Sequence, residues 1–439
     1  MRRPGLTCSS LVRSGVALAL LAATAAPAAA TQSATAGPLD RSPRALATAV
    51  APMLQQRAAA FARHDVAAFM ATVDPRDAAF AARQRALVTN AAQVPFATYR
   101  LEPDVEDVAD LSRARDRQRF GADTVVLDVR ETYELAGGYD TGAAATEDLF
   151  LTLVRDSAGR WKVAGDTAVE DVGLLSTRHA WDFAPIRTRA SEHFLALYPD
   201  NQAGEVAAVL SEAEAALRRV LPVWTPKWNA KVAIELPKDV ESLGRRIQAT
   251  FPLDNFVAFA YSTGDLIDLR LSFGGRRVMV NPRNFLGNSA ASRRTILAHE
   301  LVHVATRESS GAYLTAWLEE GVAQLLGEGA SAVGLGSVRE ALRSGAFTGR
   351  APEDFQFVTG GAQRIYRSYA EAYLLAREIE KIAGRAGLIR FYVAAGNAGR
   401  LGPGVGRVHL DAASRNTLGV SLTELERRWA ADVRADRLR

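Results

Sequence analysis

The 439-residue chain has one cysteine, Cys8, and only six histidines. A single thiol excludes a disulfide framework, so stability must come from an ordinary apolar core, which a chain of this length can build. Beyond the first thirty positions nothing approaches twenty uninterrupted apolar residues, which excludes an ordinary membrane span. No basic run with interleaved aromatics occurs, so no nucleic-acid-binding face is expected. The high sequence pI does not contradict this. Removing Arg2, Arg3 and Arg13 leaves 50 basic against 49 acidic residues, and arginine stands in place of lysine almost everywhere.

Those three arginines belong to an address rather than a fold. They form a positive n-region around an apolar run at 15–26, followed by the small-residue site Ala28-Ala29-Ala30. The pattern predicts a signal peptide over 1–30 and a secreted or extracytoplasmic protein, with no stable membrane insertion after cleavage. An uncleaved anchor is the competing reading. Cys8 precedes the apolar run, so it does not fit a lipoprotein cysteine, and the mature chain would hold no thiol. Small polar residues over 31–42 predict a linker.

The spacing then predicts a first α+β domain over 43–185. Helices are expected at 53–63, 65–73 and 77–90, with Asp65 as an N-cap. After Pro95 the period changes. Val125, Leu127, Val129 and Tyr133 alternate with polar neighbours, as in a half-buried strand. Strands at 149–154 and 161–164 flank Asp156-Ser-Ala-Gly-Arg160, a hairpin signal. Helices followed by a curved antiparallel sheet resemble the nuclear transport factor 2-like cone fold. Asp128, Glu131 and Glu134 are expected on a solvated strand face. The domain could be a pocketed accessory module, or an inhibitory segment covering a downstream site.

The strongest chemical signal lies at 295–327. His299, Glu300 and His303 form H-E-x-x-H, which by composition should arise by chance in roughly one chain in a few hundred. On a helix, two histidines four residues apart project from one face and can reach one metal ion. Leu297, Leu301 and Val304 fall on another face and can dock into a core. Glu300, next to the first histidine, is placed beside a metal rather than on it, the position of a general base. A catalytic zinc site takes three protein ligands and leaves one place for water. The next helix carries the acidic pair Glu319–Glu320 with Trp317, Gly321, Val322 and Leu325, and spacing does not choose between the two carboxylates. Gly321 would let two helix backbones approach closely.

H-E-x-x-H followed by W-L-x-E-G resembles the gluzincin branch of zinc metallopeptidases, the peptidase MA-like group, over about residues 191–429. The resemblance implies one Zn²⁺ per chain, held by His299, His303 and Glu320, with Glu300 as catalytic base. It implies a peptide or protein substrate pairing with an edge strand at 277–280. It also implies a tyrosine donating to the oxyanion; the pattern favours Tyr369, with Tyr366 and Tyr373 one turn either side. The aminopeptidase motif Gly-x-Met-Glu-Asn is absent before this helix, which leaves endo- against exopeptidase action open. A noncatalytic binding protein, or a zinc hydrolase of non-peptide amides or esters, stands as the alternative. Retention of Glu300, which metal binding alone does not require, favours the zinc peptidase over the binding protein.

A peptidase-like domain over 186–439 is then expected to run from mixed strands into the zinc helix and on into a helical lobe. Strands are expected at 191–198, 231–236, 256–261 and 277–280, with helices at 203–220 and 240–249 and a turn at 273–276. His193 is expected as a packed or edge histidine. Later helices are expected at 338–343, 364–382, 388–394 and 422–433. A long loop is predicted at 349–361 and a surface loop around His409. Ser421 and Glu424 predict a capping box, and Trp429 an anchor for the last helix.

Overall fold

The computed structural model describes residues 39–438 except 105–108, 140–143, 268–269, 312–313, 330–333 and 397–405. The expected signal peptide, Cys8 and most of the linker lie outside them.

The chain opens with three helices, α1 (Pro43–Ala62), α2 (Val66–Met70) and α3 (Ala78–Asn90). Pro43 starts α1 at the first helical position, where its missing N–H costs nothing, ten residues earlier than expected. Asp65 caps α2 by accepting the Ala68 N–H at 2.9 Å. Then come β1 (Phe96–Pro103), α4 (Ala114–Phe120), β2 (Val125–Leu135), β3 (Ala145–Arg155), β4 (Trp161–Gly165) and the single turn α5 (Ala180–Phe183). The four strands form one antiparallel sheet in sequence order. The β3–β4 hairpin closes where expected, with Asp156 N–H donating to Arg160 O at 2.9 Å. Val125, Leu127 and Val129 pack inward against Leu46, Val50 and Leu54 of α1.

Glu131 departs from the expected solvated face. It is buried on the inner side of β2, where Tyr99 donates to it and His179 Nε2 lies 2.5 Å away. Strand alternation from Val129 to Tyr133 turns it inward, and its two partners come from distant chain positions.

The second half builds a mixed sheet from β5 (Ile186–Ala190), β6 (Phe194–Pro199), β7 (Val232–Glu235), β8 (Ala258–Ile267) and β9 (Arg270–Val280), in the order β5-β6-β7-β9-β8. Helix α6 (Val206–Val220) links β6 to β7, which lie parallel, and α7 (Val240–Arg246) follows β7. After β9 come α8 (Pro282–Leu286), α9 (Ala290–Thr306), α10 (Ala316–Ala323), α11 (Leu335–Arg343), α12 (Ala362–Gly396), α13 (Gly406–Leu418) and α14 (Leu422–Arg434). The two helices expected at 364–382 and 388–394 are the halves of α12, which breaks at Gly384, φ +69°. Ser421 caps α14, but Glu424 turns to Arg427 and Arg428 instead of completing a capping box. Trp429 is buried as expected. No described helix is long and apolar enough to cross a membrane.

Three expectations for this half are corrected. The segment 277–280 is not an edge: β9 is parallel to β7 on one side and antiparallel to β8 on the other, leaving β8 outermost. The long β8–β9 hairpin adds its first strand outside its second, an arrangement strand propensity cannot rank. Residues 273–276 lie within β9 rather than in a turn, with Gly275 at φ +55° pressed against Ala145 of β3. His409 lies on α13, not in a loop.

The mixed sheet has two covered faces. Phe194, Ala196, Val232, Ile234, Ala260 and Val278 point toward α6 and α9. Their neighbours Leu195, Leu197 and Ala233 point the opposite way, into a cluster with Phe61, Phe69, Tyr133 and Trp181 of the N-terminal half. The described residues of the N-terminal half therefore pack behind the sheet, on the face opposite the H-E-x-x-H helix.

Charge as well as apolar area joins the halves. Arg246 of α7 donates to Glu147 of β3 through both terminal nitrogens, at 2.8 and 3.2 Å, and Tyr261 of β8 donates to the same carboxylate at 3.1 Å. Arg277 of β9 donates to Glu235 of β7 at 2.5 Å, with Arg246 Nε 3.6 Å from Glu235. All four charged groups are buried. Burial pushes the Glu147 carboxyl up, but Arg246, His179 and Arg277 outweigh it and hold the group at about 2. The folded value lies below the 4.5 of a free glutamate, so this stabilisation is complete above that pH and is lost as pH falls toward 2. Glu147→Ala should cost about 3–5 kcal/mol at pH 7, because it removes the bidentate partner of a buried guanidinium. Urea unfolding from pH 7 to pH 3 checks this, and the gap between variant and parent should narrow at the acid end.

Candidate metal centre

Helix α9 starts at Ser289, whose hydroxyl accepts the Ser292 N–H at 3.2 Å. Leu297, Leu301 and Val304 sink into the core against α6 and the sheet, which fixes the rotation of the helix. His299 and His303 then face α10. Close approach of α10 depends on Gly321: a Cβ there would sit 2.3 Å from the carbonyl oxygen of Ala372 in α12. Without a side chain, α10 lies flat between α9 and α12 and carries Glu320 to both histidines.

Three donor atoms converge. His299 Nε2 and His303 Nε2 are 3.1 Å apart, and Glu320 Oε2 lies 3.2 Å from the first and 3.3 Å from the second. For metal–donor distances near 2.0–2.1 Å, the edge of a tetrahedron is about 3.3 Å. The triangle thus has the dimensions of one face of such a tetrahedron, and the three residues could hold a metal ion. Each residue is buried. Burial raises the Glu320 carboxyl, but the charge of His303 and contacts with both imidazoles overcome this and hold it well below the carboxylate range. Glu319 points away: its Oε1 lies 3.8 Å from Arg307 Nη1. The structure thus brings together the set expected from sequence and separates the two carboxylates that spacing left equal.

Glu300 lies beside this triangle, not in it. One carboxylate oxygen has no partner although it is fully buried, and the group accepts the backbone N–H of Ala260 on β8. Burial pushes its pKa up, against the pull of His299 and His303. A buried carboxylate with an open oxygen is equipped to take a proton from a molecule that enters the site.

Among the three tyrosines, Tyr369 is the one beside the centre. Its ring centroid is 6.4 Å from that of His299, and Phe357 packs edge-on against it at 5.3 Å. Burial raises its hydroxyl well above the ordinary value, and the negative charges of Glu320, Glu300 and Glu328 add to the shift. Tyr366 is 56% exposed, and Tyr373 is buried beside Arg377.

Glu328 was not legible in the sequence. The turn after α10, Gln324–Glu328, is π-helical. A π turn absorbs one extra residue, so eight residues from Glu320 cover what seven cover in an α-helix. Glu328 Oε1 thereby reaches to 3.0 Å from His299 Nδ1, and Gln324 Nε2 donates to the same oxygen at 3.2 Å.

Among the described residues a second cluster, Glu192, His193 and Glu214, could also hold a cation, but it is not buried. His193 Nδ1 lies 2.9 Å from Glu214, which also accepts from Ser191 and from the His193 backbone. With exposed Glu192 this makes a salt-bridged surface turn between β5 and β6.

Glu320→Ala should abolish metal retention, whereas Glu319→Ala should keep it while lowering stability, since Arg307 loses a buried neighbour. Metal content of the purified variants by mass spectrometry checks this, and the reverse pattern would show that the third ligand is misassigned.

No protein-family model matches this chain, and no curated protein matches it, so the centre rests on its own geometry.

Proposed function

We propose that this chain is a secreted zinc metallopeptidase of gluzincin type, hydrolysing peptide bonds with Glu300 as general base. The observation that carries the reading is the unpartnered, buried Glu300 oxygen beside a three-donor triangle of tetrahedral dimensions. A site that merely stored a cation would not need it. Two histidines and one carboxylate are a zinc donor set, one ligand short of saturation.

His299, His303 and Glu320 would hold the ion. When bound, zinc supplies positive charge that acidifies a water molecule and polarises the scissile carbonyl. Glu300 accepts the proton of the attacking water and passes it to the leaving amine; its raised pKa suits both halves of that task. Tyr369 donates a hydrogen bond to the oxygen on which negative charge develops. Burial favours its protonated hydroxyl, as this role requires.

The position of β8 supports a peptide substrate. This strand is the outer one of the sheet, and its Ala260 N–H donates to Glu300. An extended peptide added along this edge would run past the base, bound through its backbone. The absence of a free-amine-binding motif favours cleavage within chains. Export is proposed from the leader pattern at 1–30.

Glu300→Gln should keep the metal and lose hydrolysis by about 10²–10⁴-fold on a peptide library. Tyr369→Phe should lower kcat by about 10²-fold with little change in KM. Full activity of Glu300→Gln would overturn the mechanism. Activity on ester or non-peptide amide substrates with none on peptides would move the reading to a different hydrolase.

A further inference from the structure

We propose that the N-terminal half holds a second binding site, a pocket between α1–α3 and the antiparallel sheet that takes a small monocarboxylate with an apolar body, Arg57 receiving the carboxylate. Its lining shares no residue with the metal centre.

Arg57 lies on α1, lines the pocket and is only 4% exposed. Its terminal nitrogens donate to Thr72 Oγ1 at 3.0 Å and to Gln84 Oε1, and its guanidinium lies 3.9 Å over the Phe69 ring. All three partners are neutral, so among the described residues this buried cation has no carboxylate within ion-pair distance. Burial lowers its pKa to about 10, with Tyr99, Asp166 and Glu131 pulling the other way from further off, so it stays charged at neutral pH. Buried charges are ordinarily paired. The carboxylates that share the pocket are already engaged. Glu131 accepts from Tyr99 and lies 2.5 Å from His179 Nε2. Asp166 pairs with Arg178 and lies 3.7 Å from Arg83. Asp182 accepts the His179 backbone N–H at 2.7 Å, and burial pushes its carboxyl up, against the pull of His179 and Arg178. The positive charge without a counter-charge is the one on Arg57.

The rest of the lining suits the body of such an acid. Phe69, Leu87, Leu101, Leu149, Leu151 and Trp181 supply apolar walls. His179 Nδ1 and Trp181 Nε1 are buried without a hydrogen-bond partner, and the two rings stack with centroids 4.4 Å apart. Apolar walls with a few unsatisfied polar atoms are the make-up of a small-molecule site. An amine of the same shape would leave Arg57 uncompensated, so charge selects the acid.

Titration calorimetry of the protein with butyrate and benzoate at pH 7 tests this, with n-butylamine as the probe of opposite charge. At least one acid should bind, and the amine should not. Arg57→Met should weaken binding of that acid about 10–100-fold, the loss of a charge-assisted hydrogen bond. Gln84→Glu keeps the shape of the site and gives Arg57 a carboxylate from within the chain, so it too should weaken the acid at least 10-fold while leaving the fold intact. Circular dichroism checks the folding of each variant. Binding of neither acid, equal binding of acid and amine, or wild-type affinity for the acid in a folded Gln84→Glu would each overturn the site.

Discussion

The structure depends on bringing two imidazole nitrogens and a carboxylate oxygen within 3.1–3.3 Å of one another inside a protein. Left alone, such a cluster is unfavourable, because buried polar groups need partners and like-ended donors do not supply them. Its assembly is enforced from outside. Leu297, Leu301 and Val304 lock the roll of α9. Gly321 lets α10 lie against α12, and Gly327 lets the following turn lie against α9. A larger residue at either position would displace the helix carrying Glu320 from the place where it meets the histidines. The centre is thus a product of helix packing, and the polar residues take positions that apolar contacts have already set.

The mixed sheet carries this arrangement on one face and the N-terminal domain on the other. Strand alternation makes the two roles separable: Ala260 and Val278 face the helices that carry His299, His303 and Glu320, Tyr261 and Arg277 the other side. The buried chain Glu147–Arg246–Glu235–Arg277 then ties β3 to β7 and β9. Such a network contributes little net stability against an apolar alternative, but breaking it is expensive, which favours one register between the halves. The described residues of the N-terminal half back the sheet and support β8 and β9.

Much of this was legible in the chain, and the limits were physical. H-E-x-x-H could be read because both of its requirements, ligand spacing and a docking face, are encoded within one helix. Glu320 could not be told from Glu319 by spacing, since adjacent helical positions differ by about 100° and either could face α9; packing of Gly321 on Ala372 decides it. Glu328 was invisible because a π turn leaves no compositional mark. Residues 277–280 read as an edge because a strand's place in a sheet is set by pairing with remote segments, and the masking of β9 by β8 is such an event. Glu131 read as solvated for the same reason: His179 and Tyr99 approach it from 48 and 32 positions away.

X-ray absorption of the zinc-loaded protein addresses the central claim most directly. A four-coordinate shell of nitrogen and oxygen near 2.0 Å, with multiple scattering from two imidazoles and no sulfur, is the predicted result. A six-coordinate oxygen shell, or zinc removed by simple gel filtration, would contradict a centre built from His299, His303 and Glu320.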